Sequence, residues 1–285
     1  MKRTLALLVI AMLYCAQLSA GGWTKKKGSG FIKLNQFFTI SDEFFLLNGD
    51  RSPLNTNSLF ITSLYGEYGL TDRLTISGYL PIYTRNILNE SRSLTTGEVL
   101  TEGQELDGIG DAFVSFKYGF FQGEDDPIKI SVGLEFGLAF GSSSIDSLNQ
   151  LQIGDGEYNQ KLFVEASHSF YPVPLYVSAL VGINNRTNDF SEEFHFAFES
   201  GYSWNQKFTT TLRFALVESF QNGASDIESS GSGIFANNIE FTTLRPGLNY
   251  KFTNNFGIDL GAIFILEGQQ TLADPGYEVG LFYEF

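Results

Sequence analysis

The chain closes on GYEVGLFYEF, residues 276–285. Tyr277, Val279, Leu281, Tyr283 and Phe285 share one parity, and Glu278, Gly280, Phe282 and Glu284 share the other. A β-strand sends alternate side chains to opposite faces, so this stretch predicts a strand with one apolar and one mixed face. A soluble domain has no need of an aromatic at its last residue. A strand whose outer face meets lipid does.

Working back from that end, the same alternation recurs. In IKISVGLEFGLAF, Ile128, Ile130, Val132, Leu134, Phe136, Leu138 and Phe140 oppose Lys129, Ser131, Gly133, Glu135, Gly137 and Ala139. DAFVSFKYGFF, EEFHFAFESGYSW and FGIDLGAIFIL repeat the pattern from Asp111, Glu192 and Phe256. These runs approach ten residues, the length of a tilted strand crossing a bilayer, whereas strands of soluble sheets average roughly five or six. Aromatics gather at strand ends, as in Tyr202 with Trp204, Tyr250 with Phe252 and Tyr283 with Phe285, where interfacial girdles sit.

The connections supply the topology. Short breaks at Thr71-Asp72-Arg73, 122–127, 171–174, 205–207 and 253–255 alternate with polar stretches near 41–57, 89–107, 141–159, 187–191, 223–236 and 267–275. Such asymmetry is that of periplasmic turns and extracellular loops. The reading is all-β: a transmembrane up-and-down antiparallel β-barrel of about twelve strands, both termini periplasmic. Strands are expected near 30–40, 58–70, 74–86, 109–121, 128–140, 160–170, 175–186, 192–204, 208–221, 237–252, 256–266 and 276–285.

At the other end, MKRTLALLVIAMLYCAQLSAGG has a basic start, a short apolar run and the small-residue exit Leu18-Ser19-Ala20. This is the pattern of a secretory signal over residues 1–20, cleaved after Ala20. Cys15, the one cysteine, is then lost, so no disulfide is expected. Residues 21–29, with Lys25, Lys26 and Lys27, are expected as a flexible periplasmic lead with Trp23 at the interface; entry into the lumen as a small plug is the alternative. The barrel is assigned to residues 30–285. The net charge of −14 argues against nucleic acid and other polyanions as partners.

No metal-ligand spacing, phosphate-cradling loop or nucleophile elbow occurs, so no cofactor, metal or catalytic residue is expected, and the chain is read as not an enzyme. Barrel-borne lipid hydrolases carry a histidine-x-serine-asparagine-glycine motif. Here His168 is followed by SFYP and His195 by FAFE. His168 has lipid-facing parity near a turn, while His195 points inward beside Glu193 and Glu199. The loop GDGEYNQ from Gly154 is expected as a solvated acidic turn, with calcium as the alternative.

Inward parity collects residues of both signs together with aromatics. The solute-route candidates are Tyr65, Tyr79, Tyr83, Arg85, Phe113, Glu135, Glu193, His195, Arg213 and Arg245. Tyr79, Tyr83 and Arg85 are expected on one inward face, with Tyr65 and Phe113 beside them. Mixed signs indicate neither an anion-only nor a cation-only filter. About twelve strands imply a backbone radius of roughly 12 Å, with side chains leaving roughly 5–6 Å, and the aromatics either line a route or fill it.

Four stretches carry a family resemblance. They are GIGDAFVSFKYGFF (Gly108, Gly110, Asp111), KISVGLEFGLAFGSS from Lys129, the loop Gly154 to Gly156 followed by EYNQKLFVEASHSFYPVPLYVSALVGI, and NRTNDFSEEFHFAFESGYSW. Over roughly residues 60–285 the chain resembles the barrel family associated with the meta-pathway of phenol degradation. The resemblance implies an outer-membrane channel for aromatic or other hydrophobic compounds and supplies no catalytic residues. The end of the chain, with Tyr283 and Phe285, resembles the signature read by the machinery that inserts outer-membrane proteins. The expectation is therefore a monomeric passive channel in the outer membrane of a Gram-negative cell. Its partners are outer-membrane lipids and lipopolysaccharide, the insertion machinery and small solutes. A structural or adhesive barrel acting through its loops is the alternative, and a lipid-modifying barrel enzyme a further one.

Overall fold

In the computed structural model, which describes residues 21–93, 95–144, 151–224 and 235–285, twelve long strands form one closed antiparallel barrel. They are β1 (Gly30–Phe45), β2 (Arg51–Thr71), β3 (Leu74–Leu88), β4 (Ala112–Phe121), β5 (Lys129–Leu138), β6 (Asn159–Ser169), β7 (Leu175–Arg186), β8 (Glu193–Ser203), β9 (Phe208–Ser219), β10 (Glu240–Lys251), β11 (Phe256–Gln269) and β12 (Gly276–Glu284). Each pairs with its sequence neighbours, and β1 closes the ring by pairing with β12 from Phe31↔Glu284 to Thr39↔Gly276. Gly30 and Phe285 finish the seam by exchanging both backbone hydrogen bonds, at 2.8 and 3.0 Å. The expected signal segment lies outside the described residues.

The alternation read from the sequence sorts side chains as a bilayer requires. Leu34, Leu64, Phe116, Leu134, Leu162, Ile183, Leu212, Leu260 and Leu281 all face outward and are exposed. Tyr68, Tyr118, Phe120, Tyr202, Trp204, Tyr250, Phe252, Tyr283 and Phe285 sit outward at the strand ends beside the short turns. Their rings meet along strands, as in Tyr118 with Phe120 and Tyr202 with Trp204, and across the seam, where Tyr68 stacks on Phe285. This is a girdle at one membrane face.

Three departures from the sequence reading have local causes. First, β1 and β2 run past their expected ends, and only residues 46–50 are left as a turn. The ladder survives Pro53 because β2 pairs there with β1 alone, its pairing with β3 having stopped at Asn57↔Leu88. Second, the 89–107 stretch holds Gln104–Gly108, a short strand antiparallel to the end of β3. Third, β3 bulges: Thr62 pairs with Tyr83 but Ser63 with Pro81, leaving Ile82 as the extra residue. A bulge of one residue reverses facing beyond it. Tyr79 therefore points inward, while Tyr83 and Arg85 point outward, against expectation, and Thr84 and Asn86 take the inward places.

Several lumenal rings lie against glycines of the neighbouring strand. Tyr176 is paired with Gly201, Phe163 with Gly133 and Phe282 with Gly257. A methyl group at any of the three glycines would sit 2.1 to 2.4 Å from the ring. The rings thus occupy the space a side chain would take, which keeps them along the wall.

Candidate functional site: an aromatic, ion-paired lumen narrowed at both ends

The N-terminal lead enters the barrel. Gly22 N–H donates to Ser167 Oγ (2.7 Å), Lys117 Nζ donates to Gly21 C=O (2.8 Å), and the Gln122 amide donates to Gly22 C=O (2.6 Å). Lys25 N–H donates to Thr75 Oγ1, and Lys25 Nζ lies 3.7 Å from Glu67. Trp23 is buried edge-on against Tyr176, with centroids 5.9 Å apart, so it is not an interfacial residue. A Cβ on Gly21 would fall 1.7 Å from Ser178 Oγ, and one on Gly22 would fall 2.2 Å from the Lys129 carbonyl oxygen. The Gly-Gly pair is what lets the lead pass. It was the available signal in the sequence, and it outweighs the flexible-lead expectation.

At the other end, residues 151–157, which lead into β6, fold inward. Leu151, Gln152 and Ile153 are buried, and Asn86 Nδ2 donates to the Gln152 carbonyl (2.9 Å). Asp111 accepts from Gly141 N–H (2.8 Å) and Asp155 N–H (2.9 Å). No side chain fits at Gly154, where a Cβ would meet the Asp111 carboxylate at 2.6 Å, and Gly156 has a φ of +76°. Arg186 then ties the segment to the wall through Glu157 (2.6 Å), Glu193 (2.7 Å) and Asp155 (3.1 Å). Thr187 N–H and Asn188 Nδ2 add bonds to Glu157 Oε2 and the Gly156 carbonyl. The expected solvated turn is instead a buried latch, with Glu157 only 1% exposed. Burial, and then the charges of Glu157 and Asp111, push the Asp155 carboxyl up to about 7. The stretches that carried the family resemblance thus each supply a residue to this latch: Asp111, Gly141, Asp155 and Arg186.

Between the two lie cavities of about 330 and 290 Å³, both lined by Tyr65, Glu67 and Arg213. Phe31, Tyr176 and Arg245 belong to the first; Phe113, Glu135 and Lys161 belong to the second. Tyr65 donates to Glu67, and Tyr79 stacks on Phe113 with centroids 5.5 Å apart. Charges are matched in pairs: Lys33–Asp259 at 2.9 Å, Lys117–Glu165 at 2.9 Å, Lys161–Glu135 at 2.6 Å and Lys251–Glu284 at 2.6 Å, with Arg245 bridging Asp259 and Glu278. Lys161 and Lys25 were missed as lumenal partners, although the inward parity of residues 159–167 marks the former.

Of the ten route candidates, the structure places Tyr65, Tyr79, Phe113, Glu135, Arg213 and Arg245 on the central wall. Glu193 and His195, 2.9 Å apart, lie inside beside the latch. Tyr83 and Arg85 lie on the outer face, where Arg85 pairs with Glu105 at 2.7 Å. His168 contacts the Pro127 carbonyl and the edge of Phe170.

Comparison with solved structures finds the same barrel fold in outer-membrane proteins. The COG4313 outer membrane channel from Pseudomonas putida F1 superposes with a TM-score of 0.68 at 14% identity, over 94% of this chain and 100% of that one. The NanC porin superposes with a TM-score of 0.53 at 11% identity, over 89% and 100%. At such identities the likeness is one of fold. No curated protein matches the chain by sequence. A family model described as "Putative MetA-pathway of phenol degradation" matches residues 57–273, most of the chain, and the protein belongs to that family.

Proposed function

We propose that the barrel is a passive outer-membrane channel for small, partly apolar solutes, entered past the latch and left past the N-terminal lead. The observation that carries this reading is the lumen itself. Its rings lie against the wall, most of its charges are closely paired, and it keeps cavities of about 330 and 290 Å³ between the two narrowings. Paired charges of both signs give no strong electrostatic barrier to either ion type, and aromatic walls with hydroxyl groups suit a ring-bearing solute. A catalytic role draws no support from the histidines, whose hydrogen bonds go to the Pro127 carbonyl and to Glu193.

The test is conductance and solute flux in liposomes, comparing the wild type with the full chain carrying Trp23→Ala and Lys25→Ala. Loosening the lead should raise the flux of small solutes several-fold while the barrel stays folded. Absence of flux from both proteins would overturn the channel reading.

A further inference from the structure

Among the cations that line the two central cavities, Arg213 stands apart. Lys33, Lys117, Lys161 and Arg245 each hold a carboxylate within 3.1 Å. The Arg213 guanidinium makes no hydrogen bond among the described residues. Its closest carboxylate oxygen, on Glu199, is 3.7 Å away, and its side chain is 42% exposed to the lumen. Glu199 is itself engaged by the Tyr176 hydroxyl, which donates to it at 2.7 Å. An arginine fork with unused donors, set between two cavities that it lines jointly, is suited to bidentate capture of a carboxylate.

A second feature points to the same ligand. Thr211, two residues earlier on the same inward face of β9, lines the first cavity, and its buried Oγ1 has no partner among the described residues. Opposite it, Gly247 contributes no side chain; a Cβ there would sit 2.4 Å from Thr211 Oγ1. Phe31, Tyr65 and Tyr176 complete the wall of this cavity, offering ring surface beside the cation. The cavity's volume is at the low end of the roughly 300–1,000 Å³ usual for small-ligand pockets, so a single-ring compound matches it better than an extended one.

The geometry points to a solute subsite for small aromatic carboxylates, in which Arg213 binds the carboxylate, Thr211 donates a further hydrogen bond, and the ring lies against Phe31, Tyr65 and Tyr176. This deepens the channel reading and rests on it for its physiological meaning, but binding is measurable without flux. A neutral aromatic lacks the charge-assisted bonds and gains the ring contacts alone. The other cations that line these cavities cannot substitute, because each would have to give up a carboxylate it already holds; Lys25, 3.7 Å from Glu67, is only 12% exposed and lines neither cavity.

The experiment uses the full barrel refolded in detergent, titrated calorimetrically with benzoate and with benzyl alcohol, followed by flux of both in liposomes. Wild type should bind benzoate at least about ten-fold more tightly than benzyl alcohol. Arg213→Gln should remove that preference while leaving benzyl alcohol unchanged, and Arg213→Lys should restore part of it, since an ammonium keeps the charge and loses the fork. Equal benzoate binding by wild type and Arg213→Gln, or no preference in wild type, would overturn the subsite whatever the flux. Benzoate binding that depends on Arg213 in a barrel that passes neither solute would leave the subsite standing and sink the channel.

Discussion

Leu212 and Arg213 are neighbours on β9 and have similar exposure, 46% for Leu212 and 42% for the Arg213 side chain. Only the identity of their surroundings separates them: Leu212 lies in the outer apolar band, Arg213 in the lumen. Placing a charge on the outer face near the bilayer midplane costs about 2–4 kcal/mol. Leu212→Arg should therefore shift the folding equilibrium in lipid by about 30- to 700-fold, at 1.4 kcal/mol for each factor of ten. Arg213→Leu removes an unbonded, half-exposed cation with one distant partner, a change worth about 0–1 kcal/mol. Urea titration of the barrel in phospholipid vesicles, followed by tryptophan fluorescence and by heat-modifiable gel mobility, measures both. The expected result is a large loss of stability for Leu212→Arg and a small change for its neighbour. Equal losses, or a larger one for Arg213→Leu, would refute the assignment of inner and outer faces, and with it the membrane reading of the barrel.

Two further outcomes are expected. Protonation favours the latch, because the Asp155 carboxyl is raised to about 7 by burial and by its acidic neighbours. Its contribution is complete below the unfolded value near 4 and is lost as pH rises through 7, so the protection of residues 151–157 against hydrogen exchange, taken relative to the intrinsic rate at each pH, should be lower at pH 8 than at pH 5. Asp155→Asn should flatten that dependence, with His195→Gln as the control for the imidazole beside Glu193; an unchanged profile in Asp155→Asn would discard the assignment. Cysteines at Ser144 and Asn205 should differ in intact cells, the first reacting with an impermeant maleimide and the second remaining unlabelled; reversed labelling would invert the topology.

Strand number, order and facing could be read from the sequence because period-two alternation is a physical demand of a wall with lipid on one side. The misplacement of Tyr83 and Arg85 shows where that signal fails. Counting by twos assumes an unbroken ladder, and the extra residue Ile82 leaves the local pattern apolar on either side of it. Pro81, which cannot donate to a ladder, was the available hint of irregularity. The latch was hidden for a different reason. Asp111, Asp155 and Arg186 are far apart in sequence, at or near the ends of β4, β6 and β7, and only the pairing of those strands makes an acidic, polar loop into a buried network. The N-terminal lead was read by its lysines, although its pair of glycines proved the more informative feature.

The ring-on-glycine contacts have a consequence for assembly. Hydrogen-bonded strands can slide past one another in steps of two residues without turning any side chain to the wrong side, so hydrophobic patterning alone does not fix the stagger of a barrel. Tyr176 over Gly201, Phe163 over Gly133 and Phe282 over Gly257 do. Sliding any of these pairs by two residues would bring the ring against a side chain such as Glu199, Ser131 or Asp259 in place of a glycine. The three contacts, spread over β5–β6, β7–β8 and β11–β12, act as steric keys that disfavour other alignments of those pairs, and so fix three of the staggers whose sum is the shear number of the closed ring.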